Sequence, residues 1–126
     1  MKPNEATILV VDEDKEIREI IVYELEKNKF KTLQASSGAE AYDIVKKNKI
    51  HLVVSDIKMA DGDGIKLLQK LRLLDPQSPA FVFVTGYSDL SQKKAQEMGA
   101  HWLFEKPYDR DEFVTKISKI VSELDA

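Results

Sequence analysis

The stretch Ile8-Leu9-Val10-Val11-Asp12-Glu13-Asp14 decides the reading of this chain. Four apolar residues run without alternation and give way abruptly to three acids. A short, continuously apolar run fits a strand covered on both faces, as in a parallel sheet. The same pattern recurs twice. Leu52-Val53-Val54 is followed by Ser55 and Asp56, and Phe81-Val82-Phe83-Val84 by Thr85 and Gly86. Two further runs, Lys31 to Ala35 and Trp102-Leu103-Phe104, complete a set of five.

The segments between these runs carry helical spacing. Ile17, Ile20, Ile21 and Leu25 form a stripe that ends near Asn28. Ser36-Ser37 predicts a cap for a helix through Ala41, Tyr42 and Val45 to Asn48, with Glu40 completing a capping box. Ile65, Leu68 and Leu71 predict a third helix, stopped by Pro76. Ser88 is expected to cap a fourth from Asp89 to Met98, closed by Gly99, with a thin apolar face of Leu90, Ala95 and Met98. Phe113, Ile117, Ile120, Val121 and Leu124 mark the last, with Asp109 near its start. Strand and helix alternate five times. That order predicts an α/β fold, a three-layer doubly wound five-stranded parallel sheet in the order 2-1-3-4-5.

The 126 residues suit one domain, with its core over about 7–124 and no output domain visible. Hydrophobic residues make up 43% of the chain, enough for a core and against disorder. With 19 Lys+Arg against 22 Asp+Glu the net charge is -3, which excludes a strongly basic nucleic-acid module. The absence of cysteine removes disulfide scaffolds, thiol nucleophiles and Cys-based zinc sites. Met1-Lys2-Pro3-Asn4-Glu5 lacks the apolar segment of a signal peptide, and no run is long enough to span a bilayer, so the expected location is cytoplasmic.

In a parallel sheet every strand ends at the same edge, and ligands bind there. The residues just past each run are therefore informative: Asp12, Glu13 and Asp14; Ser55 and Asp56; Thr85 and Gly86; Glu105, Lys106 and Pro107. Carboxylates about 4 Å apart repel by about 4 kcal/mol per pair at an effective dielectric near 20. One lysine does not neutralise three acids, whereas a hard divalent cation with oxygen ligands does, and Mg²⁺ takes carboxylates and phosphate oxygens together. The set reads as Mg²⁺, a carboxylate nucleophile and two phosphoryl-oxygen binders, the Thr85 hydroxyl and the Lys106 ammonium. A carboxylate attacking phosphorus gives an acyl phosphate. Taken singly, Asp14 reads as a helix cap and Thr85-Gly86 as a turn. His51 and His101 begin strands at the opposite edge and read as surface residues.

These motifs, in this order, resemble the receiver (REC, CheY-like) domain of two-component response regulators, over nearly the whole chain. The resemblance implies a phosphoacceptor signalling domain rather than an enzyme in its own right, although one that promotes its own phosphotransfer and autodephosphorylation. Asp56 would accept a phosphoryl group from the phosphohistidine of a sensor histidine kinase or a histidine phosphotransfer protein. Asp12 and Glu13 would hold Mg²⁺ with Asp56, one directly and one partly through water, and the backbone carbonyl of Lys58 would complete the protein ligands. Thr85 and Lys106 would bind phosphoryl oxygens, and the surface of the fourth helix, fifth strand and fifth helix would shift. Neither nucleic acid nor membrane is an expected partner, dimerisation is left open, and the kinase and downstream target are unspecified.

The chain departs from the family pattern in places. Glu13 is a methylene longer than the aspartate often found there, Ala60 stands where proline is common, and Gly86 replaces alanine. Gly62, Asp63 and Gly64 are expected to keep the loop before the third helix flexible. Leu103 occupies a switch-surface position where the family usually has Tyr or Phe; it brings no ring, and Trp102 beside it points to the opposite face. Lys58 and Tyr87, two residues past Asp56 and Thr85, are expected to tune phosphoryl lifetime. Alternative readings are a haloacid-dehalogenase-like phosphatase with Asp12 as nucleophile and Asp14 as general acid, and a degenerate receiver that signals without phosphorylation. A flavodoxin-like cofactor carrier is disfavoured, because the acids after the first strand would repel its phosphate.

Overall fold

The computed structural model describes residues 1–59, 63–86 and 90–124. After a short 3-10 turn, Pro3–Glu5, five strands alternate with five helices. They are β1 (Thr7–Val11), α1 (Lys15–Lys27), β2 (Lys31–Ala35), α2 (Gly38–Lys47), β3 (Leu52–Ser55), α3 (Gly64–Leu74), β4 (Ala80–Thr85), α4 (Gln92–Glu97), β5 (Trp102–Glu105) and α5 (Arg110–Ser122). The strands form one parallel sheet in the order β2-β1-β3-β4-β5. Fold class and strand order are those expected from the alternating pattern.

Side chains alternate across the pleat, which divides the core in two. Ile8, Val10, Val54, Val82 and Phe104 pack with Ile21, Leu25, Phe113 and Ile117, on the side of α1 and α5. Leu9, Val11, Val53, Phe81, Phe83 and Leu103 pack with Ala41, Leu67, Leu68, Leu71 and Ala95, on the side of α2, α3 and α4. Trp102 packs against the first cluster and Leu103 belongs to the second, so these neighbours do face opposite sides.

Several local expectations need correction. Ile20 is 54% exposed rather than part of the core, because the buried stripe of α1 runs through Ile21, Glu24 and Leu25. The fourth helix is shorter than expected: Ser91 caps it, its hydroxyl accepting the Lys94 N–H at 3.0 Å. The expected cap Ser88 and start Asp89 lie outside the described residues. The Ser37 hydroxyl accepts the Glu40 N–H, but the Glu40 carboxylate reaches back to the Ser36 N–H at 2.9 Å, one residue beyond a simple capping box. The histidines are more than surface residues. His51 Nδ1 accepts the Thr7 N–H at 2.9 Å and His101 Nδ1 the Phe81 N–H at 3.3 Å, each closing a gap at the start of the sheet.

Candidate phosphoryl site at the strand ends

Strand register gathers the site. Val11 pairs with Ser55, and Thr85 with Glu105. The Asp56 N–H then donates to the Val11 carbonyl at 3.0 Å and the Lys106 N–H to the Thr85 carbonyl at 2.8 Å. Asp56 is thus fastened beside the β1 end that carries Asp12, and Lys106 beside the β4 end that carries Thr85. Asp12 and Thr85 are buried, at 3% and 2% exposure, whereas Asp56 and Lys106 are half-buried at the opening.

The buried Asp12 is held through both its carboxyl and its backbone. Its Oδ1 accepts the Asp14 N–H at 2.9 Å, and its backbone carbonyl accepts from Arg18 Nη1 at 2.8 Å. Burial pushes its pKa above the ordinary aspartate value; the Asp14 N–H opposes this, the Asp56 charge adds to it, and Lys106 opposes it. Asp12, Asp56 and Lys106 therefore share one electrostatic environment, with two acids against one ammonium. The peptide bond from Lys106 to Pro107 is cis.

The Asp56 carboxylate is oriented by its own chain: Oδ1 accepts the Ile57 N–H at 2.7 Å. Behind it, the Ser55 hydroxyl donates to the Asp56 carbonyl at 2.8 Å. The Gly64 N–H donates to the Ile57 carbonyl at 2.6 Å, which brings α3 against the segment that follows Asp56. The Asp63 side chain caps α3 by accepting the Lys66 N–H at 2.8 Å. The loop expected to be flexible is thus held at Asp63 and Gly64, while Ala60 and Gly62 lie outside the described residues.

Glu13 and Lys58 are exposed and line one cleft with Asp63 and Lys66. Among the described residues no group of three or more acidic or histidine side chains stands close enough to hold a metal. The donor set at Asp12 and Asp56 still fits Mg²⁺, which needs only one or two carboxylates and keeps several waters. Asp14 is occupied elsewhere, accepting the Glu16 and Ile17 N–H groups as the cap of α1. Tyr87 lies outside the described residues. Gly86 is open: a Cβ there would stand 3.8 Å from Lys106 Cδ. Arg18 is a support of the site that the sequence does not single out, and Ser55 and Gly64, noted there for other reasons, act through contacts that spacing does not announce.

The family model for the response regulator receiver domain matches residues 8–118. Sporulation initiation phosphotransferase F of Bacillus subtilis is 34% identical over 113 residues, covering 89% of this chain and 90% of that protein. Other curated relatives are longer, and the chain spans between a quarter and a half of their length. A CheY-like receiver domain protein of Methanospirillum hungatei superposes with a TM-score of 0.86 at 28% identity, covering 94% of each chain. The response regulator protein TrrA of Thermotoga maritima, solved in complex with Mg(2+)-BeF, gives 0.83 at 26% identity, covering 91% of this chain and 98% of that one. Among the described residues no helix is long and apolar enough to cross a membrane.

Proposed function

This chain belongs to the response regulator receiver domain family, whose members signal by phosphorylation, and on that premise we propose that Asp56 is its phosphoacceptor. The observation that carries the reading is the junction of the four strand ends. Asp56 is tied to Val11 beside the buried Asp12, and Lys106 to Thr85, all at one edge of the sheet. Receiver domains partner with histidine kinases or phosphotransfer proteins, and a phosphohistidine of such a protein is the donor. A carboxylate oxygen of Asp56 attacks phosphorus, the N–P bond of the phosphohistidine breaks, and its electron pair returns to the imidazole. The product is an aspartyl phosphate on Asp56.

Ile57 presents the Asp56 carboxylate through its N–H. The Lys106 ammonium and the Thr85 hydroxyl bind equatorial oxygens of the transferring group. Asp12, Glu13, Asp56 and the Lys58 carbonyl would hold Mg²⁺, which would neutralise charge as it develops on the phosphoryl oxygens. The exposed Ile20 and Tyr23 stand beside a groove lined by Lys106, Pro107 and Tyr108, which supports docking of a donor close to the site. Loss of the phosphoryl group proceeds by water attack, with Lys58 and Tyr87 setting access. The whole chain acts as one receiver domain in the cytoplasm, and its signal leaves by the surface of α4, β5 and α5. A phosphatase built on Asp12 and Asp14 is not favoured, because Asp14 spends its carboxylate on the α1 cap.

Incubation with Mg²⁺ and acetyl phosphate, followed by intact mass, tests the reading. A phosphoryl-sized gain in the wild type that is absent in Asp56→Asn supports it. A gain that persists in the variant rejects Asp56.

A further inference from the structure

Among the described residues β5 is the last strand of the sheet, so its outer row of backbone groups has no strand partner there. α4 covers that row with two carboxamides. The Leu103 N–H donates to Gln92 Oε1 at 3.0 Å, and Gln92 Nε2 donates back to the Leu103 carbonyl at 2.5 Å. One turn on, Gln96 Nε2 donates to the His101 carbonyl at 3.4 Å. The spacing matches: four helical residues rise about 6 Å, and two strand residues about 6.6 Å. The contacts run in opposite directions along helix and strand, so α4 lies antiparallel to β5. Gln92 thus completes a two-bond pairing that a sixth strand would otherwise make.

The six residues of α4 contribute one fully buried side chain, Ala95. Gln92 also sits at a junction. Leu103 is three residues before Lys106 on the same chain segment, and Gln92 opens the helix that comes after Thr85 and β4. The Gln92–Leu103 pair thus joins the chain segment that leads to Lys106 with the helix that follows β4.

We propose that the Gln92 carboxamide is a latch, which holds α4 on the outer edge of β5 in the unphosphorylated protein and releases when Asp56 is phosphorylated. The release rests on the phosphoacceptor reading above; the latch itself does not. An interaction made in only one of two states biases their equilibrium toward that state. Removing the latch therefore favours the phosphorylated arrangement.

Gln92→Met keeps the side chain's length without its amide, and Gln92→Glu keeps the acceptor for the Leu103 N–H while turning repulsive to the Leu103 carbonyl. The Leu103 amide should exchange slowly in the unphosphorylated wild type and rapidly in Gln92→Met. It should also exchange rapidly in the wild type once acetyl phosphate and Mg²⁺ have added a phosphoryl mass. Gln92→Met should be phosphorylated about five-fold faster or more, on the scale of two lost neutral hydrogen bonds, with Gln92→Glu in between. Protection of Leu103 in Gln92→Met equal to wild type overturns the latch. Persisting protection in phosphorylated wild type, or no gain in rate for Gln92→Met, overturns the release. A wild type that gains no phosphoryl mass overturns the Asp56 reading and the release with it, while the exchange comparison of the unphosphorylated proteins still decides the latch.

Discussion

Gly64, the first residue of α3, lies so close to the backbone of Asp56 that a Cβ at its position would stand 2.2 Å from the Asp56 carbonyl oxygen and 2.9 Å from Ser55 Oγ. Both obstacles belong to the segment that carries Asp56, and one of them is backbone. The glycine is needed for this approach, not for loop freedom.

Gly64→Ala should therefore move β3 and α3 apart. Overpacking of this kind costs about 1–3 kcal/mol. The variant should melt below the wild type and take phosphoryl from acetyl phosphate more slowly. Gly86→Ala is the contrast, since its Cβ would meet only the Lys106 side chain at ordinary contact distance, and it should melt within about 0.5 kcal/mol of wild type. Thermal unfolding of the two variants side by side is the measurement; equal losses would count against the packing argument.

Asp12 works against stability. Its carboxyl is buried, and Asp56 adds repulsion that Lys106 offsets only in part. Asp12→Asn keeps an acceptor for the Asp14 N–H and removes the charge, so it should melt higher than wild type without divalent cations. Added Mg²⁺ should raise the wild-type melting temperature and leave the variant nearly unmoved. Calorimetry with and without Mg²⁺ checks both signs.

The two histidines make the sheet sensitive to acid. Each Nδ1 accepts a backbone N–H, from Thr7 for His51 and from Phe81 for His101, and protonation would abolish both bonds. Burial lowers both pKa values; Lys49 and Lys31 lower His51 further, and at His101 Arg72 lowers it while Glu123 opposes. The unfolded chain then binds protons more readily than the native one. The stabilisation is complete above the ordinary histidine pKa of about 6.5 and is lost as pH falls through the lower native values. Denaturant midpoints should drop between pH 7 and 5. The double variant His51→Asn, His101→Asn, whose amide oxygens accept without titrating, should flatten that drop.

Local stability should be lowest at α4. It has six residues and buries only Ala95, while α5 has thirteen and buries Phe113, Ile117, Ile120 and Val121. Hydrogen exchange within α4 should be faster than in the middle of α5. Slower exchange in α4 would show that its glutamine contacts outweigh its thin apolar face.

Much of this protein is legible in one dimension, and the reason is the parallel sheet. Apolar runs such as Ile8 to Val11 and Phe81 to Val84 announce strands covered on both faces, and alternation with helices fixes their direction. Once all strands point one way, the residues at their C-terminal ends share an edge, so Asp12, Asp56, Thr85 and Lys106 can be grouped without coordinates. Asp14 and Asp109 as caps are readable on the same local terms, whereas Asp63, expected in a flexible loop, caps α3. Legibility ends where a residue acts across elements. Ile20 has helical spacing yet faces outward, because which side of α1 meets the sheet is settled by its packing with β1 and α5.

Sequence alone thus determined the layered fold and the residues offered at the C-terminal edge of the sheet, because hydrophobic periodicity and strand-end position are local properties of the chain. Tertiary structure decided how the edge is held: Arg18 on the Asp12 carbonyl, Gly64 under Asp56, histidines closing the far side of the sheet, and Gln92 on β5. These contacts join residues that spacing does not relate, and hydrogen bonds with little tolerance in distance form only after the sheet and helices have set the partners side by side.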